Sequence, residues 1–182
     1  DVSHSFPRQD VRATAFWLRE VLPYFPSAVH LVVVDPGVGT DRAALVVRAG
    51  EHVLVGPDNG VLVPVARALA AREASDGTGP DAESLEVYRV LEDAGETDTA
   101  WPPDPDSSTF HGRDVFAPAA ARVHEYGVDA ADPGLEPIGS WVELAFPTPE
   151  VGAEGASGTV LVVDDFGNAI TNVPGTVLEG LE

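Results

Sequence analysis

The chain of 182 residues contains no cysteine and no methionine, and its ten basic residues are all arginine. Without cysteine it can form no disulfide framework, no thiolate zinc site and no cysteine nucleophile. Its chemistry therefore depends on Asp, Glu, His, Ser, Thr or Arg. The sequence also has no apolar run near the roughly 20 residues that span a membrane, and no signal-peptide pattern opens it. These absences predict a cytoplasmic protein without a membrane partner.

Positive charge is scarce, because 30 acidic residues stand against 10 basic ones and give a formal net charge of -20. A phosphate backbone requires a basic protein face, so a nucleic-acid partner is not expected. A solvated surface adapted to high salt accounts for the excess of carboxylates, and we interpret it as typical of a halophile-like proteome. With 44% hydrophobic residues the chain can still bury the core of one domain, or of one domain and a fragment of another.

Alternating helix and strand patterns predict an α/β fold with a central, mostly parallel sheet. Val29 to Val34 is apolar on both faces and is typical of a strand buried in the middle of a parallel sheet. The other predicted elements are helices over Val11–Leu22, Val61–Arg72 and from Asp114 onward, and strands over Ala43–Val47, Val53–Val55 and Leu85–Leu91.

The composition predicts two domains that are both incomplete. The stretch from Glu73 to Asp106 is rich in Gly, Pro and acidic residues and is interpreted mostly as a surface insertion. Gly155 to Gly158 is a candidate linker, followed by a hairpin of Thr159–Val163 and Ala169–Val173. We therefore expect an N-terminal α/β domain over residues 1–154, lacking its first strand region, and the start of a β-rich domain over residues 155–182.

Polar residues follow strands at three points, and the carboxyl edge of an α/β sheet is where such folds bind ligands. Asp35 and Arg42 bracket the turn Gly37-Val38-Gly39, where glycines let the backbone approach a ligand while the charged pair meets across it. His111 precedes a predicted helix and can point into a cleft. A capping Asp with a solvated Arg, and a helix-capping loop with an incidental His, remain alternative interpretations.

The sequence lacks the motifs of several other kinds of binding or catalytic site. The turn at Gly37 has neither a dinucleotide fingerprint nor a phosphate loop, and the scattered histidines have no metal-ligand spacing, so no metal and no cofactor is expected. No Gly-x-Ser-x-Gly elbow indicates a serine hydrolase. Phe166-Gly167-Asn168 could present an aromatic face and an amide to a purine, although an ordinary hairpin turn explains these residues as well.

Taken together, the chain resembles the S-adenosyl-L-methionine (SAM) hydrolases, also called SAM hydroxide adenosyltransferases, which are relatives of the SAM-dependent fluorinase and chlorinase. The resemblance rests on blocks that occur in the same order and cover nearly the whole chain except the acidic insertion. The blocks are Pro7-Arg8-Gln9-Asp10-Val11-Arg12 with Pro23-Tyr24-Phe25-Pro26, Val34 to Arg42, Val55-Gly56-Pro57-Asp58-Asn59-Gly60, Thr109 to Asp114, and Val163 to Asn168 with Thr171-Asn172.

The resemblance implies hydrolysis of SAM to adenosine and methionine, with Asp35, Arg42 and His111 as the catalytic set that activates a water for attack on the ribose C5′. His111 and Gly112 stand where the halogenating relatives carry Tyr and, in the fluorinase, Ser, so water rather than halide is the expected nucleophile. The substrate-binding residues implied by the resemblance are Gln9, Pro36, Thr109, Phe110, Asp164, Phe166 and Asn168.

The resemblance also implies a C-terminal β-barrel and a homotrimer whose active sites lie between one subunit's α/β domain and its neighbour's barrel. Phe166 would stack near adenine, Asn168 would pair with its edge, and Asp164, or the adjacent Asp165, would hold the methionine ammonium. Two other functions stay open at this point. One is a module that binds SAM or adenosine without turnover, and the other is a SAM-dependent halogenase.

Overall fold

The computed structural model describes residues 1–75, 85–91, 107–129, 134–152 and 155–178 of the chain. Contacts divide the chain into two compact units, Asp1–Leu144 and Ala145–Glu182. The predicted domain boundary at residues 154/155 stays a prediction, as does the C-terminal barrel. Most of the predicted insertion from Glu73 to Asp106 lies outside the described residues.

Helix α1 (Val11–Val21) begins where the sequence predicts it. The Asp10 side chain accepts a hydrogen bond of 2.9 Å from the backbone N–H of Ala13, which satisfies a donor that the first helical turn leaves free. The helix buries Ala15 and Leu18, and a 3₁₀ turn (Leu22–Tyr24) containing Pro23 ends it. The predicted helix over Val11–Leu22 is confirmed to within one residue.

The remaining helical segments of the first unit lie on either side of the predicted insertion. Helix α2 (Val63–Ser75) contacts α1 and buries Val65 and Leu69. A five-residue π-helical turn (Gly112–Phe116) runs directly into helix α3 (Ala117–Tyr126). None of the helices in the described ranges has the length and apolar character needed to cross a membrane.

The first unit is organised around one five-stranded mixed sheet. Its strands are β1 (Val29–Leu31), β2 (Ala44–Ala49), β3 (His52–Pro57), β4 (Glu86–Val90) and β5 (Leu135–Pro137), in the order β1-β3-β2-β4-β5. The pair β1/β3 is parallel, whereas β2/β3, β2/β4 and β4/β5 are antiparallel. The core lies between this sheet and the helices, with Val46, Val55 and Phe116 at its centre.

The prediction of a mostly parallel sheet is therefore wrong. Only Gly50 and Glu51 separate β2 from β3, and Gly50 has a φ of +62°, so the chain reverses in a tight hairpin and the two strands must run antiparallel. The prediction that Val29–Val34 is a buried central strand is also wrong for the described chain. There β1 pairs with β3 alone, and Leu31 and Val33 are half-exposed.

The second unit contains two antiparallel pairs and a short helix. Strand β6 (Glu150–Gly152) pairs with β7 (Gly155–Ser157), so the predicted linker at Gly155–Gly158 instead contributes a strand. Strand β8 (Val160–Val163) pairs with β9 (Ala169–Thr171), which confirms the predicted hairpin. Helix α4 (Gly175–Leu178) follows.

Candidate active site

The turn after β1 brings Asp35 and Arg42 together. Thr40 donates to the carbonyl of Gly37 through its backbone N–H at 3.1 Å and its hydroxyl at 2.6 Å, which closes the turn and returns the chain toward β2. Arg42 then donates from Nε to both carboxylate oxygens of Asp35, at 3.1 and 3.0 Å, and from Nη2 to Oδ2 at 2.5 Å. The two side chains are only 8% and 6% exposed, so the ion pair is buried.

His111 joins this pair from a distant part of the chain. Its Nδ1 lies 2.8 Å from Nη2 of Arg42, and the residue is 7% exposed. A guanidinium can only donate hydrogen bonds, so Nδ1 must accept. The neutral imidazole then carries its proton on Nε2, which leaves that N–H free to orient a ligand. Asp35, Arg42 and His111 thus form one connected group, which we call the polar cluster.

The aromatic ring of Phe116 packs against the guanidinium of Arg42 in the polar cluster. Cζ of Arg42 lies 4.9 Å from the ring centroid of Phe116, which is completely buried. Nη1 of Arg42 is buried and has no hydrogen-bond partner among the described residues, so the ring face is the favourable contact on this side of the guanidinium. Phe116 is the last residue of the π-helical turn, where Ala117 N–H bonds to the carbonyl of Gly112.

A second pair of titratable side chains lies elsewhere on the sheet. Nε2 of His30 is 2.8 Å from Nδ1 of His52, and the rings stack at 5.1 Å between centroids. Burial, with a contribution from repulsion by His52, lowers the pKa of His30 to about 4. Burial also lowers the pKa of His52. Within the described ranges, no group of three or more His, Asp or Glu side chains could hold a metal ion, and the expectation of metal-free chemistry stays a prediction.

Four predicted substrate residues lie in the first unit, and all are exposed. Pro36 directly follows Asp35, and Thr109 and Phe110 directly precede His111, so three of the four adjoin the polar cluster in the chain. Arg113 covers the Phe110 ring at 4.9 Å. Gln9 precedes α1 and has a φ of +64°, a left-handed conformation uncommon for residues other than glycine.

The other predicted substrate residues form a turn between β8 and β9 in the second unit. Asp164 accepts hydrogen bonds from the backbone N–H groups of Phe166 at 3.0 Å and Asn168 at 2.8 Å, and from Nδ2 of Asn168 at 2.7 Å. These bonds lower the pKa of Asp164. The turn leaves the Phe166 ring 92% exposed. The neighbouring Asp165 is also exposed.

Comparison with known proteins assigns the chain to a family. The family model described as "SAM hydroxide adenosyltransferase N-terminal domain" matches residues 1–132. The chain belongs to the SAM hydroxide adenosyltransferase family. That match includes all three members of the polar cluster.

Other members of the family align over most or all of the chain. It is 43% identical to an (R)-S-adenosyl-L-methionine hydrolase of Salinispora arenicola, with 100% of this chain and 62% of the relative covered. It is 41% identical to the protein of the same name from Thermus thermophilus, with coverages of 95% and 62%. The chain thus spans about 62% of the length of these relatives.

Solved structures show the same fold. A crystal structure of an uncharacterized conserved protein from Thermotoga maritima superimposes with a TM-score of 0.72 at 34% identity, covering 97% of this chain and 60% of that one. A conserved hypothetical protein from Thermus thermophilus gives a TM-score of 0.59 at 34% identity, with coverages of 95% and 59%.

Sequence reasoning assigned no role to two residues of this family member, one that contacts the polar cluster and one that contacts the residue before Asp35. The sequence gave no indication that Phe116 lies near His111. In an ordinary α-helix the residue four positions after His111 shares its face, and that residue is Val115. Asn59 lies within the block Val55 to Gly60, one of those on which the family resemblance rests, but the sequence suggested no role for it. Its side-chain Nδ2 donates to the carbonyl of Val34 at 2.8 Å, directly before Asp35.

Proposed function

We propose that the protein hydrolyses (R)-S-adenosyl-L-methionine to adenosine and L-methionine. The observation that carries the proposal is the buried, connected polar cluster of Asp35, Arg42 and His111, which adjoins an exposed turn at the end of β1. The names of the relatives support the substrate and the reaction.

The proposed step is an in-line displacement at the ribose C5′. A water oxygen forms the new bond to C5′ while the C5′–S bond breaks and its electron pair neutralises the sulfonium, which leaves as methionine. Because the leaving group is a neutral thioether, an oriented and deprotonated nucleophile is the main requirement, and the proposed reaction uses no metal and no cofactor. The water proton passes to a protein base, which completes adenosine.

The hydrogen-bond pattern supports a division of roles within the cluster. Since Nδ1 of His111 already accepts from Arg42, the imidazole offers water an N–H at Nε2 rather than a lone pair. The carboxylate of Asp35 retains unused lone pairs and is the better proton acceptor. Arg42 holds both partners in place and supplies positive charge beside the developing hydroxide.

We also propose that the second unit contributes substrate contacts as part of a β-barrel domain in a homotrimer that acts in the cytoplasm. The exposed Phe166 ring supports this, since an aromatic side chain held outward by a bonded turn is suited to cover a flat base. In this arrangement Gln9, Pro36, Thr109 and Phe110 line the adenosyl pocket, and residues 1–154 and 155–182 belong to separate domains. The mass of the full-length protein measured by light scattering tests the trimer.

The experiment that tests the function is chromatography of SAM after incubation with the full-length protein in chloride buffer, with and without EDTA. We expect adenosine and methionine to appear at the same rate in both. A 5′-halo-adenosine would instead assign a halogenase, and unreacted SAM with measurable binding would assign a binding module. Loss of turnover with EDTA, restored by a divalent metal, would contradict the proposed mechanism.

A further inference from the structure

The backbone hydrogen bonds between β1 and β3 stop shortly before Asp35. The last bond runs from the N–H of Val32 to the carbonyl of Val55 at 2.8 Å. The strands are very close here, because a Cβ added at Gly56 would lie 2.5 Å from the carbonyl oxygen of Val32. Beyond this point, no backbone hydrogen bond within the described ranges holds Val34.

The side chain of Asn59 replaces the missing backbone bond. Its Nδ2 donates to the carbonyl of Val34 at 2.8 Å, and its Oδ1 accepts from the backbone N–H of Val61 at 3.2 Å. Only a side-chain amide supplies both a donor and an acceptor of this shape, and an isosteric carboxylate has no donor. Asn59 therefore connects the end of β1 to the segment that leads into α2.

The adjacent residue makes a different contact. Asp58 accepts at Oδ1 from the backbone N–H of Val142 at 2.8 Å, away from the end of β1. Two side chains of nearly the same shape thus stand side by side in one turn, and of the two only Asn59 is bonded to the peptide unit that precedes Asp35.

We propose that Asn59 is a positioning residue for the reaction, acting through the peptide that carries Asp35. This inference rests on the proposed function. The Asp35 carboxylate has to meet both Nε and Nη2 of Arg42, and fixing the carbonyl of the preceding residue limits the directions in which Asp35 can move. A displacement of about 1 Å in a reacting group can cost roughly 100-fold in rate, so one such bond matters.

The test compares Asn59→Asp with Asp58→Asn in the full-length protein. Asn59→Asp places an acceptor against the Val34 carbonyl, and we expect kcat to fall roughly 10- to 100-fold while KM changes by less than about 3-fold. Asp58→Asn keeps the acceptor for Val142 and alters charge in the opposite direction, so kcat should stay near the wild-type value. Asn59→Ala, which removes the bond without repulsion, should lie between them.

A second measurement does not depend on catalysis. Hydrogen–deuterium exchange of a peptide covering residues 31–40, in which the N–H groups of Val32, Val38 and Thr40 are hydrogen-bonded, should speed up in Asn59→Asp but not in Asp58→Asn, while exchange in α2 stays unchanged in both. Unchanged exchange at residues 31–40, or faster exchange with normal kcat, would overturn the inference. If the wild-type protein releases no adenosine, the proposed function fails, and the exchange experiment still decides whether Asn59 holds the residues around Asp35.

Discussion

The polar cluster and the Asp164 turn are both built around a carboxylate that accepts several hydrogen bonds, yet they differ in range and burial. In the cluster, Arg42 reaches Asp35 seven residues away and His111 at a separation of 69 residues, and the ion pair is buried. In the turn, all partners of Asp164 lie within four residues and are exposed. The comparison teaches that the turn is specified locally, whereas the cluster exists only when the first unit is folded.

The largest effect should come from breaking the polar cluster. Asp35→Ala, Arg42→Ala and His111→Ala should each lower kcat by roughly 100-fold or more, with adenosine affinity much less affected. Because the three act as a unit, Asp35→Ala/His111→Ala should be little worse than the poorer single variant. Steady-state kinetics and adenosine titrations measure both quantities. His124→Ala, on the exposed face of α3, is the control, and near-normal turnover in His111→Ala would remove His111 from the mechanism.

A smaller effect should follow from replacing Phe116, whose ring packs against Arg42 of the cluster. Phe116→Leu keeps an apolar side chain but removes the cation–π contact with Arg42, worth roughly 0.5–2 kcal/mol, so we expect kcat to fall by at most about 2- to 30-fold. Phe16→Leu is the matched control, since Phe16 is also buried and lies under an arginine, Arg19, outside the cluster. Equal losses of kcat in the two variants, at equal thermal stability, would show that Phe116 only fills space.

The exposed turn offers a third test, which separates two neighbouring carboxylates. Asp164→Ala removes every side-chain bond that orders the turn, so we expect KM for SAM to rise roughly 10-fold with a smaller change in kcat. Asp165→Ala should leave KM nearly unchanged, because no hydrogen bond of the described turn uses its side chain. The reverse ranking would assign substrate binding to Asp165.

The smallest effect concerns pH, to which the pair formed by the half-buried His30 and the buried His52 should respond. The folded-state pKa of His30, about 4, is below the ordinary value of 6.5, so the unfolded chain binds more protons between these values. Stability should therefore fall as pH drops from 6.5 toward 4. Because His30 is partly exposed, its effect on stability is small. We expect the melting temperature to fall by only a few degrees over this pH range, at about 2–4 °C per kcal/mol.

The control for this prediction is the variant His30→Gln, which removes the titration of His30 and leaves His52 in place. Its melting temperature should depend less on pH over the same interval than that of the wild type. The same pH dependence in both proteins would show that His30 does not control stability in this range.

Features with local causes were predictable from the sequence. The cap at Asp10 marks the start of α1, and the Gly-containing turn at Asp164 marks the hairpin of β8 and β9. The short turn after β1 allowed Asp35 and Arg42 to be expected together. His111 joined them through family resemblance, because no spacing rule relates it to residues that lie far away in the chain.

Other features depend on how distant segments meet. The direction of β3 was open to prediction, since the loop Gly50-Glu51 is typical of a hairpin, but the mostly parallel interpretation overlooked it. The contact of Phe116 with Arg42 depends on one extra residue in the π-helical turn, which periodicity does not reveal. The bond from Asn59 to Val34 appears only when β1 and β3 lie side by side.

The close packing of Gly112 against Val33 has a consequence for the mutational routes open to this site. A Cβ at Gly112 would lie 3.0 Å from Cγ1 of Val33, closer than most Cβ contacts in proteins. The resemblance described above puts serine at this position in the fluorinase. Val33 must therefore shift by a few tenths of an ångström when Gly112→Ser is introduced, and Val33→Ala would remove that obstacle beforehand. In directed evolution toward halide acceptance, we therefore expect Gly112→Ser to be tolerated better after a smaller residue has replaced Val33, two residues beyond β1.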